Sequence, residues 1–241
     1  MSPQKIALVT GANKGIGFEI CRQLASLGCT VLLGARDTDR GNKAAQQLQT
    51  EGLEVIPVQV DMHDPASFGP LHDWIAATYG RLDILVNNAG MGSDWAYTAA
   101  EVPVALLRET FEVNFFNLVA LTQQLLLLLR TSRAGRIVNQ SSALASLTLH
   151  STPGSGLEDF KPLAYNASKT AVNAFTVHLA HALKETTIKV NAAHPGNVVT
   201  DLNPTGLISA VEGARTAVRL AMLPADGPSG GFFHLDQALP W

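Results

Sequence analysis

Cysteine is scarce in this 241-residue chain: Cys21 and Cys29 are the only two, and both fall inside apolar stretches. Two such thiols exclude a disulfide-stapled scaffold and suit buried residues in a reducing cytoplasm, the expected location. An excess of charge of either sign is also lacking, with a formal net charge of −3 at pH 7 and only 15% charged residues. That balance gives no footing for nucleic acid or an anionic membrane, although one local basic site could still hold a small anion. Hydrophobic runs are short, and the most apolar, Leu125 to Leu129, is too brief to span a bilayer. A strand-like segment begins by Lys5 and enters a glycine-rich turn, so no secretory signal fits the start. Repeats, low-complexity tracts and linker-like stretches are missing as well. One domain over residues 1–241 is expected.

What is there is an alternation of apolar, β-branched runs with longer helical patterns. Strands are expected at 5–10, 29–34, 54–60, 82–86, 136–139, 188–193 and 231–235. Helices are expected at 15–27, 39–51, from Asp64-Pro65 onward, and at 102–130, 163–185 and 212–222. Strands apolar on both faces and separated by helices predict an α/β fold: a seven-stranded, doubly wound parallel sheet of Rossmann type with helices on both faces. The stretch from Ala143 to Pro162, rich in Ser, Thr, Gly and Pro, has no period, and a loop that long in a compact domain is usually functional.

Two patterns carry chemistry. Tyr165 and Lys169 lie four residues apart at the head of an expected helix, on one face at 3.6 residues per turn. A phenol of pKa about 10 is a poor acid near neutrality, and a fixed cation beside it should bring that value down. The second pattern is Thr10-Gly11-Ala12-Asn13-Lys14-Gly15-Ile16-Gly17, between the first strand and first helix. Its glycines permit a tight turn and close ligand approach, and the helix start offers free N–H groups to phosphate. The spacing is neither G-x-G-x-x-G nor a P-loop.

This turn resembles that of the short-chain dehydrogenase/reductase family, and the likeness continues in order along nearly the whole chain. Asp61 follows the third strand, Asn87-Asn88-Ala89-Gly90 the fourth, and Asn114 lies in the long helix. Ser142 follows the fifth strand, then come Tyr165 with Lys169, and Pro195-Gly196 with Thr200 after the sixth. The resemblance implies that Gly11, Asn13, Gly15, Ile16 and Gly17 line a dinucleotide pyrophosphate. Asp61, with Met62, would meet the adenine, and Asn88, Ala89 and Gly90 the adenosine ribose. Pro195, Gly196 and Val198 would flank the nicotinamide, with Thr200 reaching a phosphate or the carboxamide. It further implies that Tyr165 donates a proton to a carbonyl oxygen as hydride arrives and that Lys169 lowers the phenol pKa and binds the nicotinamide ribose. Ser142 would steady the developing charge, and Asn114 would hold a water linking Lys169 to solvent. Of the adjacent serines, the family pattern selects Ser142 over Ser141.

Cofactor choice turns on charge. Asp37 stands where an acid would accept a ribose 2′-OH of NADH, but Arg36 precedes it and Lys14 sits in the glycine turn. That pair resembles NADPH-preferring members and favours NADPH over NADH, since Arg presents a planar fork to phosphate.

Tyr165 lies 23 residues after Ser142, farther than is common in the family. This insertion, at about 143–162, should lie over or beside the site, and it resembles that of carbonyl reductases in the family. Trp95, Tyr97, Leu149, Phe160, Leu202 and Leu207 are candidate pocket residues suited to a small apolar ketone or aldehyde. His178 and His181 lie three apart without a third ligand, so no metal is expected. The helices bearing Asn114 and Tyr165 could pair with a second subunit, or the insertion could cover that face and leave a monomer. The leading function is NADPH-dependent carbonyl reduction. The alternatives are an alcohol or hydroxysteroid dehydrogenase working oxidatively, and a non-catalytic NADPH-binding regulator. Neutral replacements of Arg36 and Lys14 are expected to raise KM for NADPH far more than KM for NADH; equal effects in steady-state assays would remove the 2′-phosphate reading.

Overall fold

The computed structural model describes residues 4–241. Strands β1 (Ile6–Val9), β2 (Thr30–Ala35), β4 (Ile84–Asn87) and β5 (Arg136–Gln140) are buried at every position. Unalternating runs of this kind are stable only in a sheet covered on both faces. With β3 (Val55–Gln59), β6 (Lys189–Ala193), β7 (Phe232–His234) and β8 (Gln237–Ala238) they form one sheet, ordered β3-β2-β1-β4-β5-β6-β7-β8. Pro57 interrupts β3, which is tolerated because β3 is an edge strand.

The first seven strands are parallel, and β8 returns antiparallel to β7, pairing Phe233 with Ala238 and His234 with Gln237. The expected count of seven strands is therefore corrected to eight. The extra strand is two residues long, and its turn at Leu235-Asp236 has none of the Asn-Gly chemistry that announces a hairpin. Leu235 adopts φ 51°, and its N–H donates to Thr216 Oγ1 at 2.9 Å.

Helices α1 (Gly15–Ser26), α2 (Thr38–Thr50) and α8 (Ala210–Ala221) cover one face, burying Ile20, Leu24, Leu48 and Ala217 against Val9, Val86 and Val138. The other face takes α3 (Phe68–Tyr79), α4 (Val104–Phe111), α5 (Asn117–Arg130) and α7 (Leu163–Ala182), with Leu71, Leu121, Leu125 and Val172 packed on Leu8, Leu85 and Ile137. Local chemistry sets several boundaries. Asp37 caps α2 by accepting from the Arg40 N–H, Ser209 and Glu212 form a reciprocal box at the start of α8, and Gly80 ends α3 at φ 66°.

The long helix expected from 102 to 130 begins at Val104 and is continuous to Arg130, but Glu112–Phe116 form a widened π turn within it. Its 27 residues have the length and apolarity of a membrane span, and half of the most apolar window is buried inside the protein. Packing against α3 and α7 accounts for the buried half, while Val104, Phe116 and Leu127 stay exposed. The segment from Ala143 to Pro162 contains a 3-10 turn, Ala143–Ala145, and a short helix α6, Leu147–Ser151.

At the amino end of β5, Arg136 is 2% exposed and its guanidinium donates to the carbonyls of Gly135, Thr187, Leu223 and Pro224 at 2.7–3.2 Å. Burial pushes its pKa down, and among the described residues no carboxylate pairs with it. Arg136→Met would remove that donor from the Leu223 and Thr187 carbonyls, while those of Gly135 and Pro224 keep the N–H groups of Lys189 and Gly227. A loss of about 3 kcal/mol in urea-unfolding free energy is expected.

Candidate active site

The strand order reverses between β1 and β4, which opens a crevice at the carboxyl ends of the sheet. The glycine turn lines its first side. Gly11 (φ 62°) is pressed against Ala89, where a Cβ would stand 2.8 Å from the Ala89 Cα, and a Cβ on Gly17 would stand 2.5 Å from Asn88 Nδ2. These contacts explain two glycines by packing. Gly15 differs: it adopts φ 58°, and only Thr200 Cγ2, at 4.0 Å, comes near its missing side chain. The space above the turn is open. Asn88 donates to the carbonyls of Thr10 and Gly11 at 2.9 and 3.2 Å, and the Thr10 hydroxyl accepts from the N–H groups of Asn88 and Ala89, each at 3.0 Å. The turn and the end of β4 are thus sewn together.

Helix α1 starts without a side-chain cap and without an acid in its first turn, in contrast to α2 and α8. Its free N–H groups and open glycine turn fit the phosphates of a dinucleotide. Asn13 is half-buried in the turn, while Lys14 is exposed and ion-paired with Asp201. Arg36 is exposed at the end of β2, with Nη1 3.4 Å from His63 Nδ1. Asp61 accepts from the His63 N–H at 2.9 Å, and the Met62 carbonyl accepts from Asn117 Nδ2 at 3.0 Å. Asp37 points its carboxylate at the Arg40 N–H, which holds it below the usual carboxylate range, and so it does not turn inward.

The second side of the crevice holds Tyr165 and Lys169 on α7. Lys169 is 3% exposed, and its Nζ donates to the Gln140 carbonyl at 2.9 Å and lies 5.9 Å from the Tyr165 ring centroid. Burial pushes the Lys169 ammonium down to about 8. It pushes the Tyr165 phenol up to about 12, opposed in part by the Ser142 hydroxyl. Desolvation is the larger of these two influences on the phenol.

Ser142 faces the same cavity, whereas Ser141 turns away to donate to Asn173 Oδ1 at 2.7 Å. Asn114 sits in the π turn, a feature often found at functional sites. Its amide is committed on both sides: Oδ1 accepts from the Met91 N–H at 2.8 Å, and Nδ2 donates to the Met91 carbonyl and Ser168 Oγ at 2.8 and 3.0 Å. Gly90, expected at the ribose, lies against Lys169, where a Cβ would stand 3.2 Å from Nζ.

A cavity of about 610 Å³ opens beside Tyr165 and Ser142, bordered by Ile16, Pro195, Gly196, Val198 and Thr200. Trp95, Phe160 and Leu202 line it as expected; Tyr97, Leu149 and Leu207 do not, and Leu207 is 81% exposed. Trp95 packs between Phe160 and Tyr165, with ring centroids at 5.9 and 5.2 Å, and Gly92 leaves room for that approach. His178 and His181 are exposed on α7, and no group of three His, Cys, Asp or Glu among the described residues is placed to hold a metal.

Several contributors had no local signature. Asp94 is fully buried, and its carboxylate accepts from the N–H groups of Ala164 and Tyr165 at 2.6 and 3.3 Å, so it caps α7 where Pro162 cannot. Leu144, Leu157, Pro204 and Thr205 join the cavity wall. His194 does too, with Nδ1 accepting from the Ala143 N–H at 3.1 Å and burial pushing its pKa down to about 4. His150 sets the insertion: its ring nitrogens lie 3.0 Å from the carbonyls of Leu144 and Leu157, and the His150 main-chain carbonyl accepts from Lys161 Nζ at 2.8 Å.

Comparison with known proteins gives consistent results. A family model for short chain dehydrogenases matches residues 5–206. The chain is 36% identical over 280 aligned positions to carbonyl reductase (NADPH) 1 of Mus musculus, covering 100% of this chain and 99% of that protein. Salutaridine reductase from Papaver somniferum has a similar structure, with TM-score 0.83, 33% identity, and coverage of 97% of this chain and 100% of that one. A short chain dehydrogenase from Shigella flexneri complexed with NADP gives TM-score 0.85 at 26% identity, over 97% of each chain.

Because the Lys169 pKa is depressed in the folded state, the unfolded chain carries more protons between about pH 8 and 10, and stability should rise with pH across that window. Tyr165 acts oppositely above about pH 10, where its raised pKa makes the folded state the better proton binder. In urea titrations the unfolding free energy of the wild type relative to Lys169→Met should climb by about 2 kcal/mol from pH 7 to 10. A flat difference would contradict the buried, desolvated ammonium.

Proposed function

The chain belongs to the short-chain dehydrogenase family, and on that premise we propose that it reduces small apolar ketones or aldehydes to alcohols with NADPH. The observation that carries this reading is that Tyr165 and Ser142 line one cavity whose apolar lining includes Trp95, Leu144, Leu157, Phe160 and Leu202. A pocket of that character takes an apolar carbonyl compound more readily than a sugar.

NADPH, when bound, supplies the hydride. Its phosphates would rest on the uncapped start of α1 and the open turn at Gly15, and its 2′-phosphate near Arg36 and Lys14. Lys14 would then share its ammonium between that phosphate and Asp201. The commitment of Asp37 to capping α2 supports NADPH over NADH, because no acid is left at that point to meet a ribose 2′-OH.

Ser142 donates its hydroxyl hydrogen toward the substrate oxygen and orients the carbonyl. Tyr165 gives its phenolic proton to the same oxygen as negative charge develops there. With its pKa at about 12, the phenol is protonated throughout the neutral range and is ready to act as the acid. An alkoxide is a far stronger base than a phenolate, so that transfer runs downhill. The oxidative alternative needs a phenolate at the start, which burial disfavours here, so the oxidative rate should rise with pH. Lys169 stands behind the phenol and stabilises the phenolate left after transfer. Asn114 holds the Met91 loop beside Lys169 through its paired amide. A regulator that only senses NADPH has no use for a serine and a tyrosine facing a substrate-sized cavity.

Tyr165→Phe is expected to lower kcat/KM for carbonyl reduction by at least about 100-fold, with NADPH affinity retained. Loss of NADPH absorbance over a panel of aryl and alkyl ketones and aldehydes is the measurement. Near-normal turnover in the variant would overturn the assignment of the acid.

A further inference from the structure

His194 follows the last residue of β6, directly before Pro195-Gly196, and borders the cavity that Tyr165 and Ser142 face. Its two ring nitrogens differ in status. Nδ1 accepts from the Ala143 N–H at 3.1 Å, which ties the residue after Ser142 to the end of β6. Burial, and secondarily the neighbouring His234, push the ring's pKa down to about 4, so it is neutral near pH 7. A neutral imidazole whose Nδ1 accepts carries its one proton on Nε2. That N–H has no acceptor among the described residues, and Nε2 is not sealed from solvent. The ring of His234, with its centroid 5.1 Å away, turns its Nδ1 to the His194 main-chain carbonyl at 3.0 Å.

Anchoring Ala143 needs only one acceptor, which an asparagine would supply; the second nitrogen is left over. Other polar side chains of the wall are engaged within their own loop. Asn203 donates to Asn197 Oδ1 at 2.6 Å, and the Thr200 hydroxyl accepts from the Asn203 N–H at 3.1 Å. His194 instead stands beside Ser142, with Ala143 as the link between them, and the insertion adds the apolar Leu144, Leu157 and Phe160 to the same cavity. A single N–H donor in such surroundings discriminates strongly. A ligand oxygen that meets it gains a hydrogen bond, and a methylene in that place leaves it without water or partner.

We propose that His194 Nε2–H donates to a second oxygen on the substrate, a few bonds from the carbonyl that Ser142 and Tyr165 engage. The substrate class is thereby narrowed from apolar ketones and aldehydes in general to those carrying a further acceptor oxygen near the reacting carbon. Held at two points, such a molecule presents one orientation of its carbonyl to the hydride donor. His194 takes no part in proton transfer; it determines specificity. This inference rests on the carbonyl-reduction reading above.

Two matched pairs of ketones test it. α-Methoxyacetophenone differs from butyrophenone only by an ether oxygen in place of a methylene, and β-methoxypropiophenone differs from valerophenone in the same way, one carbon farther out. The quantity read is the ratio of kcat/KM for the ether ketone to that for its hydrocarbon partner, which cancels any general damage to the site. His194→Asn keeps an acceptor for the Ala143 N–H and lacks a donor where Nε2 stood; His194→Gln carries an amide N–H to that place. The expected result is a ratio lowered by about 3- to 10-fold in His194→Asn for at least one pair, returning toward the wild-type value in His194→Gln. A ratio unmoved in His194→Asn for both pairs, or lowered alike in the two variants, overturns the assignment. Should neither variant fold, nitrogen-15 spectra of the wild type with NADP+ serve instead, read at the imidazole that stays neutral at about pH 5. Its Nε2 signal should move with an ether ketone and not with the hydrocarbon partner; the same response to both overturns the assignment. Failure of the wild type to reduce any of the four ketones would take down the carbonyl-reduction reading as well, whereas turnover of all four with unmoved ratios sinks the His194 assignment alone.

Discussion

A buried ammonium bound to one main-chain carbonyl is the constraint on which the rest of the site depends. Lys169 loses its hydration and receives in exchange the Gln140 carbonyl at 2.9 Å. Burial of charge on those terms is expensive, and the depressed pKa of about 8 is its signature. The bond fixes α7 to the end of β5. Because Nζ also lies against Gly90, no side chain can occupy that position at the end of β4 without displacing the lysine. Three elements far apart in sequence are therefore held in register by one buried group.

The helix starts divide in a way that directs charge. Asp37 and Ser209 satisfy α2 and α8, and the buried carboxylate of Asp94 satisfies α7 from another part of the chain. Only α1, among these four, presents N–H groups with no side chain over them. An anion entering the crevice thus meets one receptive helix end, above an open glycine, and is kept from the turn that carries Tyr165. The insertion completes the other side. The His150 ring lies 3.0 Å from the carbonyls of both Leu144 and Leu157, and both residues line the cavity. A segment with little regular structure is thereby made into a wall.

Much of this could be read before any coordinates. Periodicity placed the six long helices and the first seven strands to within a few residues, since each rests on local chemistry such as glycines at turns, Asp or Ser at caps, and uninterrupted Val, Ile and Leu in strands. The ordered motifs placed Tyr165, Ser142, Ile16 and Pro195 at one cavity. Missing were the two-residue β8, whose hairpin lacks a turn signal, the π turn around Asn114, and the cap from Asp94, which lies 70 residues from the N–H it serves. Half of the suggested pocket side chains miss the cavity, because an aromatic or leucine in a loop has no period to say which way it faces.

Residue types and their spacing determined by themselves the parallel sheet, the glycine turn and the pairing of Tyr165 with Lys169 on one helical face, all consequences of interactions within a few residues. Tertiary structure alone decided the protonation of that pair. Depth of burial raises the phenol and lowers the ammonium, and it depends on what β5 brings alongside α7. It also decided which groups the Asp37 carboxylate and the Asn114 amide bond to. A carboxylate or an amide can serve a ligand, a helix end or a loop, and only the groups within hydrogen-bond reach in three dimensions select among them.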